Sequence, residues 1–104
     1  MTPTELFESL PGRFRAERAG DLRAIYAFDL AGQDGGTWAV RVADGALTVE
    51  PGLAADADVT VAASAADWMS IVEGRMDPQL AYLTKKLRVS GNLQLALRLR
   101  EVVL

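Results

Sequence analysis

The residue types that most often carry enzymatic chemistry are scarce in this chain. Its 104 residues include no histidine and no cysteine, which removes the imidazole base, the thiol nucleophile and the usual zinc ligands. The hydroxyls of Ser70 and Ser90 therefore have no imidazole to activate them, and Ser64 is placed to cap a helix. The carboxylates are scattered over predicted strand faces and loops. The sequence predicts a protein that is not an enzyme and that uses no metal ion or cofactor.

The glycine-rich stretch GQDGG at residues 32–36 invites comparison with a phosphate-binding loop. Such a loop needs a Lys followed by Ser or Thr after its last glycine, and Thr37 and Trp38 follow here instead. Because the stretch separates two segments of alternating polarity, we predict a hairpin turn.

Length and charge limit the class of protein further. We expect residues 1–104 to form one domain. The N-terminal segment is acidic and has no long apolar run, and no segment reaches 18 consecutive apolar residues, so neither a signal peptide nor a transmembrane helix is predicted. With no cysteine, which favours a reducing compartment, the sequence predicts a cytoplasmic protein. Net charge is −7 in residues 29–77 and +4 in residues 78–104, an asymmetry that does not indicate nucleic-acid binding.

Five segments alternate apolar and polar residues with a period of two, which is typical of antiparallel strands with one face in water. They lie within residues 22–30, 37–42, 47–50, 58–64 and 86–90. The segments with helical character are residues 3–10, which Pro11 and Gly12 should end, and residues 65–74, 78–84 and 92–104. Ser64 and Asn92 are predicted to cap two of these helices. The result is an α+β sandwich with helices over one face of the sheet.

The predicted helices carry more apolar surface than one face of a five-stranded sheet needs. Residues 80–83 have no polar side, and the last helix has one apolar arc containing Leu95 and Leu99 and a second containing Leu93, Leu97 and Leu104. Three uses remain open: ordinary core, a homodimer surface, or the lining of a cavity for an apolar ligand. An empty cavity of about 300 Å³ would cost ~7 kcal/mol, so we expect any cavity to be filled.

The order of these elements resembles the sterol carrier protein type two domain. The strand and hairpin TWAVRVADGALTV precede ADVTVAASAADWMSIVEGRMDPQLAYLTKKLRVSGNLQLALRL. The features that carry the resemblance are a Trp-bearing strand, an Asp-Gly hairpin, a DVTV strand, a helix ending in EGRMDP, a short AYL helix, a KLRV strand, and Gly-Asn before a Leu-rich helix. They span about residues 22–100.

This resemblance implies an α+β fold in which a five-stranded, mainly antiparallel sheet has one face covered by helices that enclose a hydrophobic tunnel. It implies non-catalytic binding, and transfer between membranes, of fatty acids, fatty acyl chains, sterol-like lipids or phospholipids. The chain is expected to be a stand-alone, bacterial-type member. The alternative is a dimerisation or enzyme-accessory module in which the apolar cavity is only structural.

Matching the family position by position assigns candidate site residues. Phe28 and Trp38 fall on inward aromatic positions of the first two strands, and Tyr82 and Leu83 fall where the family has two aromatics. The predicted lipid-binding residues are Tyr26, Phe28, Trp38, Val40, Trp68, Met69, Val72, Leu80, Tyr82, Leu83, Leu95 and Leu99. The candidates for contact with an anionic headgroup or membrane, with ordinary solvated charges as the simpler alternative, are Arg75, Lys85, Lys86 and Arg88.

The chain departs from the family pattern at Lys85, where the family often has glycine. A helix that ends here should prefer a residue in the left-handed conformation, which glycine adopts at least cost. We therefore expect the wall of the tunnel to differ at this turn.

Overall fold

The computed structural model describes residues 1–103. Its elements, in chain order, are α1 (Pro3–Arg13), α2 (Ala16–Ala19), β1 (Ala24–Ala31), β2 (Gly36–Ala43), β3 (Ala46–Pro51), β4 (Val59–Ser64), α3 (Ala65–Val72), α4 (Pro78–Leu83), β5 (Leu87–Gly91) and α5 (Leu93–Val103). This order confirms the predicted α+β class. None of the helices in the described part of the chain combines the length and the apolar character needed to cross a membrane.

The five strands form one sheet in the order β3-β2-β1-β4-β5. β1 pairs with β2 in antiparallel fashion, as do β2 with β3 and β4 with β5. β1 and β4 are parallel, with Tyr26 opposite Val59. The predicted mainly antiparallel sheet is thus confirmed. The parallel pair was not specified by the alternation, which reports the face that a side chain occupies and not the direction of the strand.

The large apolar residues of the strands, apart from Ile25, point to one face, the inner face, where the helices cover them. Tyr26, Phe28 and Val40 are at most 1% exposed. The ring of Phe7 from α1 stacks on Trp38 with centroids 4.6 Å apart and lies 5.0 Å from Phe28. Long outer-face side chains such as Arg88 are exposed, whereas the small outer-face residues Ala27 and Ala39 are only 2% and 3% exposed.

Side chains fix where several helices begin. Ser64 Oγ accepts a hydrogen bond from the Asp67 amide at 3.0 Å, and Asn92 Oδ1 accepts from the Gln94 amide at 2.9 Å. The two predicted caps are therefore confirmed. Gly91, just before Asn92, has φ 95°, and a Cβ there would lie 2.2 Å from the Asp58 carbonyl oxygen. Glycine is therefore needed for the chain to turn from β5 into α5.

Two boundaries differ from the sequence-based expectation. The prediction that Pro11 and Gly12 end the first helix is wrong, because α1 continues to Arg13. Burial of Phe7 and Leu10 holds this segment against the sheet. Pro11 lacks one N–H donor, and only Gly12 and Arg13 follow it, so the disturbance is confined to the last turn of the helix. The single turn of α2 was not predicted, since four residues are too few for a periodic pattern. Leu104, which was included in the last helix, lies outside the described residues.

Candidate functional site

The predicted lipid-binding residues separate into an inner and an outer group. The inner group is at most 8% exposed and consists of Tyr26, Phe28, Val40, Met69 and Leu99. A side chain with no accessible area has no water-sized space beside it, and Tyr26 and Val40 are 0% exposed. In this conformation no lipid fits against these two side chains. A tunnel beside Tyr26 and Val40 requires the helices to move, and the tunnel stays a prediction.

The outer group lies at the surface or close to it. Trp38, Trp68, Val72 and Leu95 are partly buried. The α4 side chains of Leu80, Tyr82 and Leu83 are 60%, 42% and 69% exposed, so that only Ala81 of this helix is buried.

The helix α5 exposes apolar side chains as well. Leu93 and Leu97 are 47% and 62% exposed, so α4 and α5 carry five of the seven exposed large apolar side chains in residues 1–103. We call these five residues the α4–α5 surface: Leu80, Tyr82, Leu83, Leu93 and Leu97.

The inner face of the sheet is incompletely covered beside this surface. α4 packs against the edge strand β5, and α5 packs against its neighbour β4. Val89 of β5 lies opposite Val61 of β4, and both side chains belong to the inner face. Val61 is only 5% exposed, whereas Val89 is only partly buried. The apolar layer is therefore incompletely covered at the β5 edge, as it is at the opposite edge, where Trp38 and Val49 are also only partly buried.

Trp68 of α3 brings an unpaired polar atom to the core. Its ring centroid lies 5.3 Å from that of Phe28, and its indole N–H is buried with no hydrogen-bond partner in the described part of the chain. A buried donor without an acceptor costs about 1–3 kcal/mol. An oxygen atom of a bound ligand would remove that cost.

α5 is attached firmly to the rest of the molecule. The Tyr26 hydroxyl donates a hydrogen bond to the Leu95 carbonyl oxygen at 2.6 Å. Burial raises the pKa of Tyr26 to about 12, an effect that nearby Arg98 opposes and Asp58 reinforces. The Arg98 guanidinium also donates to the carbonyl of Ala19 at 3.1 Å. Both contacts link α5 to elements that are distant in the sequence.

The end of α4 has the left-handed geometry that the sequence predicted. Lys85 has φ 64°. The Lys86 amide donates to the Ala81 carbonyl at 2.9 Å, and the Lys85 amide donates to the Tyr82 carbonyl at 3.2 Å. These two bonds form a Schellman motif whose left-handed position is normally glycine. Here a lysine occupies it.

The four predicted headgroup contacts do not behave alike. Arg75 forms an ion pair with Glu73 at 2.7 Å. Lys85, Lys86 and Arg88 are exposed, and within residues 1–103 none of them has a carboxylate within 4.0 Å. The Arg88 guanidinium donates to the Lys85 carbonyl at 3.2 Å, which keeps the three cations together.

Two open grooves lie away from the α4–α5 surface. The larger, about 410 Å³, is formed by α1, β2 and β3, with Phe7, Trp38 and Val49 in its lining and Glu8 and Glu50 beside them. A second groove of about 260 Å³ lies along β1 and β2. Of the predicted lipid-binding residues, these grooves include only Trp38. Neither groove could be predicted from the sequence, because both depend on how separate elements are placed. Residues 1–103 hold no cluster of three or more side chains suited to a metal ion.

The profile of the SCP-2 sterol transfer family matches residues 6–103. This chain belongs to the SCP-2 sterol transfer family. Among curated members, Hydroxysteroid dehydrogenase-like protein 2 of Homo sapiens is 34% identical over 82 residues, covering 78% of this chain and 20% of the relative. Sterol carrier protein 2 of Homo sapiens is 35% identical over 83 residues, covering 77% of this chain and 15% of the relative. The chain thus spans a fifth or less of the length of these two relatives.

Solved structures show the same fold. The stereoselective inverting sec-alkylsulfatase Pisa1 from Pseudomonas sp. superposes with a TM-score of 0.81 at 21% identity, covering 98% of this chain and 16% of that protein. The solution structure of palmitated SCP2L2 from Aedes aegypti superposes with a TM-score of 0.74 at 23% identity, covering 99% of this chain and 95% of that one. The SCP-2-like α+β fold is confirmed.

Proposed function

We propose that this SCP-2 family chain binds a lipid without catalysis, between α4, α5 and the inner face of β5. One observation carries the proposal: α4 leaves Leu80, Tyr82 and Leu83 exposed beside the β5 edge, where the apolar layer is incompletely covered. A ligand there removes apolar area from water on both of its sides. The name of the family and the palmitated relative from Aedes aegypti support a lipid as that ligand.

Binding requires α4 to move outward. This helix has six residues, a single buried side chain, Ala81, and a positive-φ residue beyond each end, Gly74 and Lys85. Its displacement opens a path toward Trp68 and Val72 and then to the inner group of predicted residues. Each methylene withdrawn from water contributes about 0.8 kcal/mol, so a long acyl chain offsets the cost of moving so short a helix.

The polar end of the lipid has two candidate partners. The unpaired indole N–H of Trp68 can donate to a hydroxyl or carbonyl oxygen. Lys85 and Lys86, at the end of α4, can attract a carboxylate or phosphate. With so few polar groups the site distinguishes lipids mainly by shape, and the proposed ligands are fatty acids, fatty acyl chains, sterol-like lipids and phospholipids, carried between membranes.

The competing function is a dimerisation or enzyme-accessory module that uses the same apolar surface. In Hydroxysteroid dehydrogenase-like protein 2 the matched segment is only 20% of the chain. A segment of this kind can therefore be part of a longer protein, which supports the accessory role as the second candidate. A self-associating protein with no lipid would support it.

Native mass spectrometry of the purified protein, followed by organic extraction and displacement of a fluorescent fatty acid, tests lipid binding. We expect an apolar adduct and displaceable binding. Leu83→Glu should weaken binding at least about tenfold, because burying its carboxylate against an acyl chain is costly. Leu53→Glu is the matched control, since Leu53 is 53% exposed and lies after β3, away from α4. An adduct-free mass together with no binding of the fluorescent fatty acid would refute lipid binding.

A further inference from the structure

The groove between α1 and β3 lies at the edge of the sheet opposite to α4. β3 and β5 are the two edge strands, and three other strands separate them. The apolar lining of the groove includes Phe7, Trp38 and Val49. The rings of Phe7 and Trp38 are stacked with centroids 4.6 Å apart, and Val49 is only partly buried. With a volume of about 410 Å³, the groove has the size of a binding cleft and lies outside the proposed lipid site.

β3 also offers backbone hydrogen-bonding groups along this groove. Ala43 and Ala46 face each other across the two-residue turn, and hydrogen-bonded pairs alternate from there with pairs that are not hydrogen-bonded. Gly52 agrees with this order, because its amide donates to a carbonyl of β2 at 3.0 Å. Leu47 and Val49 therefore direct their N–H and C=O groups away from β2. In the described part of the chain, no backbone hydrogen bond from outside the sheet reaches either residue.

The pairing edge of β3 is short. β3 has six residues, and the last of them, Pro51, has no N–H to donate. Pairing with a further strand therefore stops before Pro51, so that a segment of about five residues covers this edge. An unpaired edge beside an apolar groove is the arrangement by which some domains bind an extended peptide as an additional strand.

Two carboxylates accompany the apolar lining. Glu8 of α1 and Glu50 of β3 belong to the groove, and both are exposed. Within residues 1–103, neither carboxylate has a lysine or arginine nitrogen within 4.0 Å. A fatty acid in this groove would place its own carboxylate beside like charges, whereas a lysine or arginine side chain has the complementary charge. The groove therefore favours a partner that is both apolar and basic.

A second copy of this chain fits the groove poorly. Pairing two β3 edges would bring Glu8 and Glu50 of both copies together, and like charges oppose association. The edge strand β5 has basic residues, but its Leu87 is 9% exposed and belongs to its own hydrophobic core, so it cannot enter a groove on another copy. A segment that is not already part of a sheet has both its backbone and its side chains available.

We propose that the groove between α1 and β3 binds an extended segment of a partner protein in which apolar residues alternate with lysine or arginine. The segment adds a sixth strand to the sheet and forms hydrogen bonds with the backbone of Leu47 and Val49. Its apolar side chains enter the groove against Phe7 and Trp38. Its basic side chains lie on the outer face beside Glu50, and Glu8 adds negative charge at the rim of the groove.

Fluorescence anisotropy with labelled synthetic peptides tests the proposal. The probe is a capped seven-residue peptide in which valine alternates with arginine, and a control peptide has glutamate in place of arginine. We expect the protein to bind the arginine peptide and not the glutamate peptide. Glu50→Lys should weaken this binding roughly tenfold, and Glu8→Lys about threefold. The matched control Glu17→Lys, which changes an exposed carboxylate on α2, should bind the arginine peptide like the unmodified protein.

Backbone methylation of the peptide separates strand pairing from charge attraction alone. In an added strand the backbone nitrogens face β3 and solvent alternately. N-methylation of all valines therefore blocks one set of nitrogens, and N-methylation of all arginines blocks the other. We expect one of these two peptides to lose binding and the other to keep it. Equal binding of the two methylated peptides would overturn strand addition.

Three other results would overturn the proposal. The first is that the arginine peptide does not bind, or that the glutamate peptide binds equally well. The second is a dimer in sedimentation equilibrium that the arginine peptide dissociates, because a second copy would then be the occupant of the groove. The third is displacement of the fluorescent fatty acid by the arginine peptide, because the groove would then belong to the lipid site. Absence of fatty acid binding would refute the proposed function and leave the peptide result standing.

Discussion

Replacing Lys85 with glycine should stabilise this protein. Lys85 occupies the left-handed position after α4 with φ 64°. A residue with a Cβ costs about 1–2 kcal/mol in this conformation, and glycine costs almost nothing. Glycine also gains entropy in the unfolded chain, which cancels part of that difference. The expected net gain in the free energy of unfolding is about 1 kcal/mol, or about 4 °C in Tm for a chain of 104 residues.

Urea and thermal denaturation followed by circular dichroism measure this effect, with two controls. Lys85→Ala removes the same charge but keeps the Cβ, so it should leave the free energy of unfolding nearly unchanged. Lys86→Gly places glycine one residue later, where φ is not positive, and should destabilise the protein by about 0.5–1 kcal/mol. If Lys85→Gly is no more stable than Lys85→Ala, the backbone of Lys85 is not strained and the reasoning fails.

Two other predictions concern the core beneath the site. Burial raises the pKa of Tyr26 to about 12 from an ordinary value near 10. The stability that the protonated Tyr26 hydroxyl contributes is therefore complete below pH 10 and is lost as the pH rises through 12. Alkaline titration should therefore cost up to about 3 kcal/mol in the free energy of unfolding, a loss absent from Tyr26→Phe. Trp68→Phe should change the stability of the lipid-free protein by less than about 1 kcal/mol, because removing an unpaired N–H offsets the smaller ring, whereas Trp68→Glu should unfold it.

These two predictions have separate controls. Tyr82→Phe, at a residue that is 42% exposed, should keep the alkaline loss of stability seen in the unmodified protein. If Tyr26→Phe also loses stability at alkaline pH, the titration of a group other than Tyr26 causes the loss. A large destabilisation by Trp68→Phe would mean that the indole N–H of Trp68 has a hydrogen-bond partner in the lipid-free protein. The proposal that it donates to an oxygen atom of the ligand would then be refuted.

Most of the sheet followed from the sequence, because half-buried strands leave a period-two pattern. The alternation placed Tyr26 and Val40 on the inner face, where both are found. The predicted hairpin after β2 forms with positive φ at Asp44 and Gly45, as a two-residue turn of this type requires. The parallel pairing of β1 with β4 was not predictable in this way, because it depends on how the chain crosses from one strand to the other.

The site was less predictable than the fold, since a pattern identifies apolar residues and not the space between them. Tyr26 and Phe28 were predicted to line a tunnel, and their surroundings are filled by the protein's own helices. The surplus of apolar side chains on residues 80–83 was correctly identified, but only the packing of α4 shows that Ala81 alone turns inward. The groove between α1 and β3 depends on how residues 4–11 of α1 are placed against the sheet, which no local pattern specifies.

The unequal attachment of α4 and α5 gives the molecule two levels of local stability. α5 is bound to β1 through the Tyr26 hydroxyl and to α2 through Arg98, so its amides should exchange with solvent only when the whole domain unfolds. α4 can detach at a small fraction of that free energy, because Ala81 is its only buried side chain. For the proposed lipid binding, α4 is then the wall that moves while β1, α2 and α5 stay in place, so that loading and release would need no global unfolding.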